Sequence, residues 1–181
     1  MTTQSTPLVK AHAHLPAGIA EAAEQQQYLT FNLGEEMFAI GILAIREIIE
    51  YGNLTEVPMV PPFIRGVINL RGAVVPVVDL LVRFGRTAGE ITKRTCIVII
   101  ETAANGAPGH QMGVVVDAVS EVLEIPPADI EPPPEFGARI RIDFISGMGK
   151  VDGKFVVLLD VNKILSLDEV AVVAAMSNQT H

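Results

Sequence analysis

The feature that most restricts the fold is an internal repeat. Phe63-Ile64-Arg65-Gly66 is followed by Gly72, Val75 and Asp79. Phe144-Ile145-Ser146-Gly147 is followed by Gly153, Val156 and Asp160. The offset is 81 throughout, and six of the 22 aligned positions are identical. Upstream, Ile45-Arg46-Glu47-Ile48-Ile49-Glu50 echoes Val119-Ser120-Glu121-Val122-Leu123-Glu124. Constant spacing over such a length is expected of a duplicated unit. Chance similarity between Gly- and Val-rich hairpins is the competing explanation. If the unit is duplicated, each half holds about five short strands and a closing helical turn. That is too few strands for a sandwich but suits a small closed barrel.

Local patterns agree with an all-β chain. Leu29, Phe31 and Leu33 alternate with Thr30 and Asn32, as in a half-buried strand. Gly34-Glu35 predicts a tight turn, with Glu36 to Ile40 returning as the partner. Val67 to Leu70 and Ala73 to Val78 predict a second hairpin across Arg71-Gly72. Pro76 cannot donate to a ladder, so it is expected at a sheet edge or a bulge. Thr95 to Ile100 is a β-branched apolar run suited to burial on both faces. Gly113–Val116, Val119–Ile125, Arg139–Phe144 and Lys154–Leu159 also read as strands. Asp79 can cap a short helix through Phe84, ended by Gly85, and Asp160 another through Leu165. Pro126-Pro127 and Pro132-Pro133-Pro134 predict a rigid extended connection.

Composition narrows the function. The 181 residues suffice for one ordinary domain or two very small ones. They are 49% hydrophobic with a mean hydropathy of +0.40, so a buried core is expected. No apolar run approaches the roughly 18–20 residues of a membrane span. Gly72 to Val82, for example, is broken by Pro76 and Asp79. A soluble protein is the expectation. Residues 1–27 are Thr-, Gln- and Ala-rich and lack the charged and apolar regions of a secretory signal. They read as a disordered arm. The single cysteine, Cys96, forbids an internal disulfide and fits a reducing compartment. A net charge of −8, no Trp and two Tyr argue against nucleic acid and against an anionic membrane surface.

Chemistry-bearing residues are sparse. His12 and His14 lie in the arm, His110 in a Gly/Pro-rich segment read as a loop, and His181 at the terminus. A His-x-His pair without a third ligand is a weak metal signal. Cys96, within an apolar strand, is expected to be buried and inert. Gly147-x-Gly149 precedes a strand instead of opening a helix, so it is no phosphate-binding turn. No catalytic residue, cofactor or metal is expected. Glu47, in apolar company, and Arg71, at a hairpin tip, are left. Glu47 keeps a counterpart in Glu121, whereas Arg71 is replaced by Asp152. Structural necessity acts alike on both halves, so the asymmetric Arg points to a role of the first half. An ordinary surface ion pair, contributing about 0–1 kcal/mol, explains the same residues.

The stretch Pro62-Phe63-Ile64-Arg65-Gly66-Val67-Ile68-Asn69-Leu70-Arg71-Gly72-Ala73-Val74-Val75-Pro76-Val77-Val78-Asp79-Leu80 strongly resembles the CheW family of bacterial chemotaxis coupling proteins. So do Tyr28 to Gly34, Ile42 to Ile48 and Gly113 to Leu123. The similarity covers about residues 27–168. It implies two SH3-like five-stranded barrels packed together, at about 28–92 and 93–167, between the arm and a tail at 169–181. It implies a non-catalytic cytoplasmic adaptor, recruited to membrane-associated receptor arrays. Its partners would be the cytoplasmic tip of a chemoreceptor and the regulatory domain of a chemotaxis histidine kinase. The receptor-facing positions of the family match Ile45, Glu47, Gly66 and Arg71, with Val119 and Val122 across a groove. A small β-barrel hydrolase or ligand binder is the alternative of a different class.

Overall fold

The structure, a computed structural model, describes residues 26–104, 107–133 and 144–164. The strands are β1 (Gln27–Leu33), β2 (Glu36–Gly41), β3 (Ile45–Glu50), β4 (Ile64–Leu70), β5 (Ala73–Asp79), β6 (Cys96–Ala104), β7 (Ala107–Val116), β8 (Ala118–Glu124), β9 (Ile130–Glu131), β10 (Ile145–Val151) and β11 (Lys154–Leu159). A single α-helical turn, α1 (Leu80–Arg83), follows β5. The arm through residue 25, the strand expected over residues 139–143 and the tail lie outside the described residues.

Two sheets form, ordered β3-β6-β7-β5-β4 and β8-β1-β2-β11-β10-β9. Five strands match one for one, and the second sheet carries a sixth, the two-residue β9, beside β10 where five strands were expected. In both, the hairpin of the 81-residue repeat carries a bulge, between Ile64 and Gly66 and between Ile145 and Gly147. In both, the second hairpin strand runs parallel to its neighbour, Val77 opposite Gly113 and Leu158 opposite Ala39. In both, the outer strand bulges once more, at Ile45/Glu47 against β6 and opposite Leu29/Phe31 in β8. These registers equate Phe31 with Ile100, Ala39 with Gly113 and Ile45 with Val119. The duplicated architecture is therefore real, with offsets of 69, 74 and 81 in successive elements as the intervening loops change length.

The sheets do not follow the expected division at residue 92. Strands β3, β4 and β5 are completed by β6 and β7, whereas β1 and β2 complete the sheet of β8, β10 and β11. Each repeat has exchanged its leading hairpin with the other. The sequence halves are thus woven together, and 28–92 is not a barrel by itself.

Other local expectations were met or corrected. Asp79 Oδ1 accepts from the Val82 N–H at 3.2 Å, and Asp160 Oδ1 from the Asn162 N–H at 3.0 Å. Gly85, at φ 85°, ends the helical turn. β5 is an inner strand, so Pro76 is not at a sheet edge. It lies beside the β4–β5 bulge and just before Val77, where pairing with β7 begins, so no ladder bond is lost. His110 is in strand β7 opposite Thr102, not in a loop. Pro127–Asp129 form a 3-10 turn leading into β9, where an extended connection was expected.

Among the described residues, three apolar clusters hold the fold together. The largest unites both sheets and contains Phe31, Phe38, Phe84, Phe144, Val98 and Ile100. Ile97 and Ile99, on the other face of β6, join a second cluster with Ile68, Val75, Val77 and Val115. β6 is therefore buried on both faces, as its composition predicts. The third cluster, Ala39, Ile125, Val156 and Leu158, is the counterpart of the second in the other sheet. Arg83 sits at the junction of the repeats. Its guanidinium lies 4.9 Å from the Phe63 ring centre and 4.8 Å from that of Phe144, the repeat partner of Phe63. Its Nε–H donates to the Ile164 carbonyl at 2.7 Å.

Candidate functional site

The turn between β4 and β5 puts two successive residues at positive φ, Arg71 at 54° and Gly72 at 86°. That is the backbone of a tight hairpin matched to the strand twist. Asn69 Oδ1 steadies it by accepting from the Gly72 N–H at 3.0 Å. Arg71 projects from this tip and its guanidinium meets Glu47 twice. Nη1 donates to Oε2 at 2.5 Å and Nη2 to Oε1 at 3.1 Å. A two-point fork of this kind fixes orientation as well as charge. Hydrogen bonding from Arg71 holds the Glu47 carboxyl below its usual range, and Glu47 in turn raises the Arg71 guanidinium.

The pair joins the two outer strands of its sheet. β3 and β4 are the edges of the five-stranded order, and Arg71 crosses the seam between them. Arg71 is 74% exposed in its side chain and Glu47 27%, so donors of the guanidinium face solvent.

The other receptor-facing candidates take different places. Ile45 begins β3 and is half-buried on the periphery of the large cluster. Gly66 is buried at the β4 bulge. A Cβ there would lie 2.4 Å from the Thr55 carbonyl oxygen, because Thr55 bridges to Val67 on that edge. Gly66 therefore shapes the site by letting two backbones approach, and offers no side chain to a partner. Val119 and Val122 lie on β8, in the other sheet. The register makes Val119 the repeat partner of Ile45 and Val122 that of Ile48. Ile48 and Val122 are both exposed, at 42% and 49%. The structure thus joins Glu47 and Arg71 directly, sets Ile45 and Gly66 on the strands that carry them, and puts Val119 and Val122 on the equivalent strand of the second barrel.

Sequence reasoning missed a second ionic group beside this hairpin. Arg65 Nε and Nη2 reach Asp79 Oδ2 at 2.9 and 2.8 Å, and Nη1 donates to the Tyr51 hydroxyl at 3.2 Å. Asp79 is buried and also caps α1. The available signal was the repeat itself, since Arg65 is Ser146 in the second half. Cys96 differs from expectation in degree. It is half-buried, with its Sγ–H donating to the Arg94 carbonyl at 3.3 Å. Burial, and the charge of Glu50 opposite it on β3, push the thiol above its usual range.

Known proteins share this architecture. The CheW-like domain family model matches residues 27–169. The chemotaxis protein CheW of Klebsiella aerogenes is 35% identical over 148 residues, 82% of this chain and 86% of that one. Protein FrzA of Myxococcus xanthus is 32% identical, covering 81% of this chain and 89% of FrzA. The crystal structure of the scaffolding protein TtCheW from Thermoanaerobacter tengcongensis matches with a TM-score of 0.72. It is 33% identical, and the match spans 80% of this chain and 90% of that one. Two SH3-like barrels, the duplicated hairpin and these likenesses together place the chain in the CheW-like domain family.

Proposed function

We propose that this chain is a non-catalytic chemotaxis adaptor that couples the cytoplasmic tip of a chemoreceptor to the regulatory domain of a histidine kinase. The observation that carries the reading is the Glu47–Arg71 fork. It sits exposed on one barrel and is absent from the equivalent place on the other, as expected of a recognition feature and not of a folding one. Ile45 and Gly66 shape the same receptor-facing surface, and Val119 and Val122 extend it on β8. The relatives named chemotaxis proteins and the neighbour described as a scaffolding protein support this reading. The adaptor works in the cytoplasm, gathered at receptor arrays by these contacts. Titrating the full chain with a receptor signalling fragment and with a kinase regulatory domain, separately, tests it. Saturable binding to both is expected. Binding to neither, or turnover of a small substrate, overturns it in favour of a barrel hydrolase or ligand binder.

A further inference from the structure

The seam that Arg71 bridges in one barrel is unbridged in the other, and we propose that a partner's guanidinium fills it. This goes beyond the receptor-facing reading and concerns a different surface. At the second seam lies a groove of about 650 Å³ between the β10–β11 tip, β8 and the start of β2. Its floor is apolar. Met37 and Met148 line it, with Phe155, which is 51% exposed. Its rim carries Glu35, Glu121 and Asp152 against Lys154. Glu121 is the repeat partner of Glu47, and Asp152 that of Arg71. The tip backbone is unchanged, with Asp152 at φ 50° and Gly153 at 77°. Only the charge has reversed. Among the described residues no ion pair joins Glu121 or Asp152 to a cation.

The groove combines partly exposed apolar side chains with acidic groups on its rim, and its complement is an apolar-faced, arginine-bearing segment of a partner protein. The arginine occupies, from outside, the position that Arg71 holds from within. On β8, successive side chains alternate faces, so Glu121 and Leu123 serve the groove while Val122 points the other way.

The methionines provide the test. Met37 and Met148 line the groove, Met59 is fully exposed elsewhere and Met112 is buried. A short synthetic peptide of alternating arginine and leucine is titrated into the full chain, labelled with 13C at the methionine methyls. Met37 and Met148 should shift and Met59 should not. Asp152→Arg supplies an internal partner for Glu121 and should weaken the peptide by about ten-fold or more, with the Met112 resonance unchanged. Glu121→Gln is the second variant and should weaken it by about three-fold or more. The lysine counterpart of the peptide should bind more weakly, since an ammonium cannot form the two-point fork. Equal shifts at Met59, or affinity that neither variant changes, would overturn the proposal. So would concentration-dependent shifts of Met37 and Met148 without peptide, which would assign the groove to a second copy of the chain.

Discussion

The hairpins β4–β5 and β10–β11 share a bulge, a two-residue turn at positive φ and a capping aspartate, yet they end in opposite charges. What the two have in common is what the barrel needs to close. What differs is available for recognition. Arg71 pairs with Glu47, while Asp152 shares a groove with Glu121. Arg65 ties Asp79 to Tyr51, while Ser146 Oγ–H only donates to the Leu158 carbonyl at 3.3 Å. The first hairpin is thus anchored by two ionic groups, and the second by none among the described residues. The first barrel presents a charged fork, and the second an apolar groove with an acidic rim.

The bulge glycines sharpen this comparison most. A Cβ at Gly66 would strike backbone, the Thr55 carbonyl oxygen, at a φ of 153°. A Cβ at Gly147 would meet the Ile130 Cγ2 methyl at 2.7 Å and the Glu131 carbonyl oxygen at 3.2 Å, and the chain there has no positive φ. Gly66→Ala should therefore destabilise by about 3 kcal/mol, as strain and overpacking combine. Gly147→Ala should cost less, about 2 kcal/mol, because there is overpacking against the two-residue strand β9 but no strain from a positive φ. Equal losses in denaturant melts would show that the two bulges are under the same constraint.

Arg65→Met comes next. It leaves Asp79 buried without its cation, and should cost about 2–3 kcal/mol. Ser146→Ala, its repeat counterpart, should cost under about 1 kcal/mol. The same melts decide this, and a costlier Ser146→Ala would break the claim that the first hairpin is the anchored one.

The pH dependence of Glu47 is a smaller effect. Its carboxyl is lowered, so the pairing is complete above the ordinary carboxylate pKa and lost as pH falls through the lowered folded value. An NMR titration should give Glu47 a midpoint below the one it shows in Arg71→Ala. Identical midpoints would mean that the fork does not persist in solution. Smallest is the effect at Cys96, whose raised thiol should react slowly with maleimide at neutral pH. Glu50→Gln should quicken it by no more than about two- to three-fold, the scale of one partly screened charge. Fast labelling of the parent protein would contradict this.

Much of this was legible in the residues. Unbroken spacing exposed the duplicated hairpin, and side-chain chemistry placed Asp79 and Asp160 as caps. The Arg71/Asp152 contrast singles out the arginine that forms the fork. The exchange of leading hairpins was not legible. It depends on which strands pair across long separations, and offsets of 69 and 74 are hidden by loops of unequal length. Gly66 came from the family resemblance alone, and its close backbone approach needs Thr55, which carries no sequence signal of its own. The groove at the second seam was equally hidden, because it is lined by residues of β2, β8, β10 and β11 that only the long-range pairing brings together.

Arg71→Glu tests the central claim most directly. It removes the fork and sets two acids across the seam, at an exposed tip where folding should change by less than about 1 kcal/mol. Calorimetric titration against a receptor signalling fragment should then show affinity reduced by more than about ten-fold, as for an interfacial arginine. A well-folded Arg71→Glu protein that binds the fragment as tightly as the parent would contradict the account.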